Sequence, residues 1–199
     1  VSGSYPEGNV TLQGDASIFG GVTGRNTGTV AVITLTSMPV IDATKSKLTV
    51  GGAVGANEAI ITQIVAKDLK FAKFSGYRYL GGITGTNGGS GKTTAGVSDC
   101  VYSGTMTEKT GAAGNCYGGI AGINYATLSG CEITKITMEI KGVYTATSTS
   151  TAAQKESLAS HAGGITGKNE TSATITSCVI DNNPDSRIRA DYGLSLIHI

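Results

Sequence analysis

The chain has 199 residues, a formal net charge of +1, 15% charged residues, 30 glycines and no tryptophan. A charge so close to neutral gives no electrostatic basis for binding nucleic acid, and no apolar run is long enough to insert across a membrane. The length suits one domain, and the abundance of Thr, Ser, Val and Ile favours strands over helices.

One phrase, Gly-Gly-apolar-x-Gly-x-Asn, occurs five times, first as GGVTGRN. The copies start at residues 20, 51, 81, 118 and 163, so successive starts are 31, 30, 37 and 45 residues apart. A period near 30 residues is typical of proteins in which repeats stack on one another. We therefore treat residues 1–193 as a single repeat domain.

The constant Gly and Asn of the phrase predict how the copies stack. A fixed glycine indicates a left-handed backbone or a close approach of another chain segment, and asparagine tolerates such turns. If strands of successive copies pair about 4.8 Å apart, each asparagine lies over the last one and their amides can form a ladder. The predicted turn and ladder residues are Gly24, Gly55, Gly85, Gly122, Gly167, Asn26, Asn57, Asn87, Asn124 and Asn169. We predict an all-β fold, a parallel β-helix (β-solenoid) of about five coils with three short strands per coil.

A second set of aligned positions accepts only Ile or Cys, which indicates a buried column of small to medium apolar groups. Its members are Ile33, Ile64, Cys100, Cys131 and Cys178. The four cysteines of the chain show no zinc-binding spacing. We expect free thiols stacked in register, and a disulfide between Cys100 and Cys131 on adjacent coils is the alternative.

Two parts of the chain depend on the repeat for their interpretation. Residues 59–74 fit neither the helical nor the strand period cleanly, and the repeat register favours strands. Insertions at 107–115 and 145–160 account for the longer spacings and fall at the same corner of the repeat. Such insertions can form a binding face or be neutral variation, and the sequence leaves both open.

The repeated phrase resembles the GLUG-motif repeats, whose core is Gly-Leu-any-Gly. The matching positions are 21–24, 52–55, 82–85, 119–122 and 164–167, with Val, Ala or Ile in place of the Leu. The resemblance implies a repetitive bacterial protein that is extracellular or cell wall-attached, like adhesin-like proteins and the non-catalytic parts of IgA-specific metallopeptidases. It implies a stalk or adhesive region whose partner is an unknown host glycan or protein, or other domains of the same chain. It carries over no catalytic residue.

The alternative function is a carbohydrate-active β-helix enzyme, such as a lyase or glycosidase fragment. These enzymes need paired carboxylates, or carboxylates with Ca²⁺, on one face. Asp99, Glu132 and Asp181 flank the Ile/Cys column at different offsets and predict no such cluster. His161 shares a column with apolar and polar residues alike, which favours a structural position over a catalytic base. We therefore expect no enzyme activity, no cofactor and no metal.

Exposed aromatic side chains are the remaining candidates for partner contact, because tyrosine combines an apolar ring with a polar tip. Tyr102, Tyr125 and Tyr144 lie away from the predicted core columns and form the possible binding surface.

The last six residues, 194–199, read LSLIHI. This hexapeptide matches one translation of a transposase mosaic-end adapter used in sequencing libraries, and a natural terminal strand is the alternative. We expect an adapter-derived tail on a fragment of a longer protein, and the tail takes no part in the functional argument.

Overall fold

The computed structural model describes residues 2–3, 9–12, 17–37, 40–43, 47–74, 77–89, 91, 94–108, 114–141, 151, 160–191 and 195–196. No helix is present among them. Their strands are β1 (Ser2–Gly3), β2 (Asn9–Leu12), β3 (Ile18–Gly20), β4 (Thr23–Asn26), β5 (Thr29–Leu35), β6 (Val40–Ala43), β7 (Leu48–Gly51), β8 (Val54–Asn57), β9 (Ile60–Phe74), β10 (Tyr77–Gly81), β11 (Thr84–Asn87), β12 (Gly96–Ser98), β13 (Val101–Glu108), β14 (Cys116–Gly118), β15 (Ala121–Asn124), β16 (Thr127–Ser129), β17 (Glu132–Lys141), β18 (His161–Gly163), β19 (Thr166–Asn169), β20 (Thr174–Thr176), β21 (Val179–Ile180), β22 (Arg187–Asp191) and β23 (Ser195–Leu196).

The strands form three large sheets, one for each segment of the repeat, and a small sheet of β2 and β6. The first face leads into the glycine pair and contains β3, β7, β10, β14, β18 and β23. The second face carries the Gly-x-Asn segment and contains β4, β8, β11, β15 and β19. The third face contains β1, β5, β9, β12, β13, β16, β17, β20, β21 and β22.

Every strand pair between described residues is parallel. The prediction of an all-β fold built from stacked parallel strands is therefore confirmed, and the arrangement is compatible with a parallel β-helix. Residues 60–74 form one strand of 15 residues, β9, so the strand interpretation of this stretch is also confirmed. The third face differs from the predicted single short strand: β9 is one strand of 15 residues, and in the later coils this face is divided, as into β12 and β13 or β16 and β17.

Equivalent residues of successive copies lie side by side despite the unequal spacings. On the second face, Asn57 pairs with Asn26, and Asn124 pairs with both Asn87 and Asn169. Side chains from all three faces pack into one apolar cluster, which includes Val50 from the first face and Ile64 from the third. The core therefore runs through the whole stack of coils.

The ladder asparagines are joined by side-chain hydrogen bonds that all run in the same direction. Asn26 Nδ2 donates to Asn57 Oδ1 at 2.8 Å, and Asn57 Nδ2 donates to Asn87 Oδ1 at 2.9 Å. Asn87 Nδ2 donates to Asn124 Oδ1 at 2.8 Å, and Asn124 Nδ2 donates to Asn169 Oδ1 at 2.7 Å. The three central asparagines are fully buried. Since buried amides need partners, the ladder holds adjacent coils in one register.

The third glycine of the phrase is required by close approach rather than by a left-handed backbone. A Cβ at Gly167 would lie 2.4 Å from Tyr117 N, and a Cβ at Gly122 would lie 2.6 Å from Leu80 N. Real Cβ atoms do not approach backbone so closely. The phrase therefore brings the second face against the first-face backbone of the preceding coil.

The left-handed turn occurs instead in a column that the sequence pattern did not indicate. Its residues directly precede the Ile/Cys column, have φ between 53° and 60°, and are Val32, Gln63, Asp99, Gly130 and Ser177. Left-handed backbone is costly for side chains branched at Cβ, so Val32 is the least favourable residue of the set. This column is where the third face bends in every coil.

The Ile/Cys column lies inside that bend. Ile64, Cys100 and Cys131 are buried, whereas Ile33 and Cys178, in the two outer coils, are half-buried. Cys100, Cys131 and Cys178 are not joined by disulfides. Hydrogen bonding with Cys100 raises the pKa of the Cys131 thiol to about 12, which keeps this thiol protonated at neutral pH.

Replacing Asn124 with Ala tests the ladder at its centre. The variant removes an amide that bonds Asn87, Asn169 and turn groups, and we expect a loss of about 1–3 kcal/mol in the free energy of unfolding. Urea denaturation measures this. Asn183→Ala is the control, because Asn183 is half-buried and bonds the Thr134 carbonyl outside the ladder. Equal losses of stability in the two variants would show that a ladder asparagine stabilises the fold no more than an asparagine outside the ladder.

Candidate functional site

The structure corrects the prediction that Tyr102 is an exposed contact residue. Its side chain is 0% exposed, and its ring lies over two glycines. A Cβ at Gly82 would fall 2.3 Å from the Tyr102 ring, and a Cβ at Gly104 would fall 2.4 Å from its hydroxyl oxygen. The missing side chains of these glycines create the space that the ring fills, so Tyr102 belongs to the core.

Burial leaves the Tyr102 hydroxyl without a hydrogen-bond partner among the described residues and raises its pKa above the ordinary range. Tyr117 is equally buried, but its hydroxyl donates to Glu108 Oε1 at 2.7 Å and accepts from Asn115 Nδ2 at 2.7 Å. The pKa of Tyr117 is also raised, first by burial and then by the Glu108 carboxylate. Tyr102 and Tyr117 are thus equally buried but differ in the hydrogen bonding of their hydroxyl groups.

We expect Tyr102→Phe to raise the free energy of unfolding by about 1 kcal/mol and Tyr117→Phe to lower it by about 1–3 kcal/mol. Both phenols have folded-state pKa values above the unfolded value near 10. As the pH rises above about 10, they ionise first in the unfolded chain, and this lowers the free energy of unfolding. Each Phe variant should therefore reduce the alkaline loss of stability. Denaturation between pH 7 and 11 measures both effects, and a stability change of the same sign in the two variants would contradict this account.

Tyr125, by contrast, lies half-buried next to Tyr79. Burial, followed by the neighbouring Tyr79 and Glu170, raises the pKa of Tyr125 to about 12. The guanidinium of Arg78 lies 5.3 Å from the centre of the Tyr79 ring. Tyr125 therefore stays a candidate for partner contact, with Tyr79 beside it. Tyr144 lies outside the described residues.

A group of buried polar residues lies where the two insertions meet the coils. We call it the loop-base cluster; its members are Glu108, Asn115, Tyr117, Ser160 and His161, all no more than 7% exposed. These residues come from the end of β13, the start of β14 and the start of β18. They lie at the corner between the third face and the first face.

Hydrogen bonds in the loop-base cluster join one insertion to the other. Glu108, where the first insertion leaves β13, accepts the backbone N–H of Lys141, where the second leaves β17, at 2.9 Å. Asn115, where the first insertion returns, accepts the backbone N–H of His161 at 2.7 Å through its carbonyl oxygen. Asn115 N donates to Ser160 Oγ at 3.4 Å. Both insertions therefore begin and end at neighbouring points of the same corner.

The sequence contained a signal for this cluster that the predictions did not use. Buried positions alternate along the end of β13, at Gly104, Met106 and Glu108. Glu108 continues the inward-facing series, and a carboxylate in such a position needs hydrogen-bond donors. One donor, the Tyr117 hydroxyl, is nine residues away on β14, and another, the Lys141 N–H, lies in the next coil, so neither could be identified from the sequence alone.

Glu108→Gln tests whether the carboxylate holds the two insertions together. The new amide places a donor where one of the two carboxylate oxygens accepted, so a loss of about 1–3 kcal/mol in the free energy of unfolding is expected. Hydrogen exchange at the Lys141 amide should become faster. Glu139→Gln is the control, since Glu139 pairs with Arg187 on the exposed side of β17 at 3.3 Å. Unchanged exchange at Lys141 in E108Q would contradict the role given to Glu108.

The described residues contain no group of three or more His, Cys, Asp or Glu placed to hold a metal ion. Asp99, Glu132 and Asp181 are exposed and lie on three different coils. Asp185, in the turn before β22, pairs with Lys135 at 2.8 Å, and this contact lowers its pKa. The carboxylates of the described surface are thus dispersed or paired.

No family model, curated protein or solved structure matches the chain. The resemblance to GLUG-motif repeats therefore rests on the motif positions themselves. None of the described residues belongs to a helix with the length and hydropathy needed to cross a membrane.

Proposed function

We propose that this chain is a structural and adhesive repeat segment of a bacterial cell-surface or secreted protein, related to the GLUG-motif repeats. It acts as a stiff spacer and presents its insertions to a host glycan, a host protein or another domain of the same chain. The observation that carries this proposal is the loop-base cluster, which fixes the ends of both insertions at one corner of the stack.

The coils support the spacer part of this function. Parallel strands in register and a buried asparagine ladder connect each coil to the next through backbone and side-chain hydrogen bonds. Bending the stack would have to break such bonds inside an apolar core. The same interactions recur from coil to coil, as expected of a protein whose stability is a sum over neighbouring repeats.

The corner of the insertions supports the adhesive part. Binding residues are commonly carried by loops on a rigid scaffold, and solenoid insertions map to one face. Here the ends of both insertions are fixed by hydrogen bonds in which Glu108 and Asn115 accept the backbone N–H groups of Lys141 and His161. Partner contacts made by the two insertions would then lie next to each other, and Tyr125 supplies a further candidate contact on the second-face side. No observation favours the carbohydrate-active alternative.

The test is binding of the full chain to glycan and host-protein arrays, beside a variant in which residues 145–158 are replaced by a Gly-Ser linker. This replacement leaves Ser160 and His161 in place, so the loop-base cluster is kept. We expect the full chain to bind and the variant to lose at least about tenfold in affinity, about 1.4 kcal/mol. Thermal unfolding confirms that the variant is folded.

A linker of the same composition in place of residues 89–93, between β11 and β12, is the matched control. It should bind as well as the unmodified chain. Equal loss in both variants would indicate general damage and contradict the assignment to the insertion corner. Absence of binding by the full chain to any array would contradict the adhesive part of the proposal.

A further inference from the structure

Three positions of the Ile/Cys column carry thiols, and these thiols follow one another in consecutive coils. The residues directly after them pair strand to strand, so Cys100, Cys131 and Cys178 lie in register. Cys100 and Cys131 are both enclosed in the core of the stack. Hydrogen bonding between these two thiols lowers the pKa of Cys100 and raises that of Cys131. Their sulfur atoms are therefore in contact across two adjacent coils.

The spacing of the coils suits a bridged pair of sulfur atoms better than a disulfide. Parallel strands lie about 4.8 Å apart, and side chains in register are separated by about the same distance. A disulfide brings the two Cβ atoms to about 3.8 Å, so the strands would have to move together. Two metal–thiolate bonds of about 2.3 Å, placed end to end, span about 4.6 Å. An ion between Cys100 Sγ and Cys131 Sγ would thus join the coils at their existing spacing.

The ligands that such an ion could find determine its chemical class. The described residues hold no group of three or more His, Cys, Asp or Glu that could surround a metal ion, so the two sulfur atoms are the available side-chain ligands. Structural zinc requires four ligands and calcium requires oxygen ligands. Thiolates are soft ligands that select Cu(I), a monovalent ion with a filled d shell that is stable with two ligands in line. The thiol pair therefore suits Cu(I).

A carboxylate lies at the bend beside the thiol pair. Asp99 directly precedes Cys100, is exposed, and is close enough for its charge to act on the Cys100 thiol. Gly130 directly precedes Cys131, and a Cβ at Gly130 would lie 2.6 Å from Asp99 Oδ1. The absent side chain of Gly130 thus leaves the space that the carboxylate occupies. A negative charge at this point attracts cations to the bend that contains both cysteines.

We propose that Cys100 and Cys131 bind one Cu(I) ion between their sulfur atoms, in the gap between two adjacent coils. Both S–H bonds break, two Cu–S bonds form, and two protons leave to solvent. No electron is transferred, because copper enters and remains as Cu(I). The thiols give up their hydrogen bonds to the carbonyls of Ser98, at 3.1 Å, and Ser129, at 3.4 Å. The bound ion cross-links the two coils.

Cys131 also has Cys178 on its other side, and the two possible gaps differ. Hydrogen bonding with Cys131 lowers the pKa of Cys100 but raises the pKa of Cys178. Cys100 therefore releases its proton more easily than Cys178 does. This difference favours the gap between Cys100 and Cys131.

Titration of the full chain with Cu(I) in the absence of oxygen, in competition with a chromophoric Cu(I) chelator, tests the site. We expect one equivalent of Cu(I), release of two protons per ion, and an X-ray absorption spectrum with two sulfur neighbours. Cys100→Val and Cys131→Val should each lower the affinity by more than about a hundredfold, because loss of a ligand costs more than loss of its hydrogen-bond partner. Valine suits the column, which holds the buried Ile64 in an earlier coil.

Cys116→Val is the matched control, because Cys116 is also buried but lies on β14 of the first face, outside the column. It should bind Cu(I) like the unmodified chain, and so should Cys178→Val. Thermal unfolding checks that every variant is folded. Absence of binding by the unmodified chain would overturn the proposal. Full affinity in Cys131→Val would do so too, as would a loss in Cys116→Val or Cys178→Val as large as that in Cys100→Val.

Discussion

A buried asparagine amide has to find its hydrogen bonds inside the protein, and in this chain each ladder asparagine bonds both turn backbone and the asparagine of the next coil. Asn57, Asn87 and Asn124 have no exposed surface, and each donates to the following amide within 2.9 Å. A shift of one coil by a single residue would leave these groups unpaired at a cost of about 1–3 kcal/mol each. The register of the other two faces depends on this constraint, because they are covalently attached to the same phrase.

The glycines make that interaction possible. Side chains at Gly122 or Gly167 would push the second face away from the first-face backbone of the preceding coil and would separate the stacked asparagines. With both constraints met, the third face can differ freely in length and composition. It bends at a left-handed residue in each coil and then reaches the corner where the insertions leave. Variation in length is thus concentrated at the end of the third face, just before the short strand that leads into the next copy of the phrase.

The sequence was sufficient to predict the class of fold, the stacking of the five copies and the strand assignment of β9, because each depends on spacing that can be counted. The bend at Val32, Gln63 and Asp99 could not be predicted, since these residues share no chemical property. Tyr102 was assigned to the surface because the space for its ring comes from Gly82, which is 20 positions earlier in the chain. The loop-base cluster was missed for a similar reason, since Glu108 and Lys141 are 33 positions apart in the chain.

The constant register also separates two dimensions of the molecule. The coil of residues 118–162 has 45 residues and the coil of residues 51–80 has 30, yet both contribute one layer to the second face. Each layer adds about 4.8 Å along the stack, whatever its content. The number of glycine pairs therefore sets the length of the stack, and the number of inserted residues sets the width of each coil. A gene encoding such a chain can gain or lose sequence at the insertion corner and alter what is displayed without altering how far it reaches.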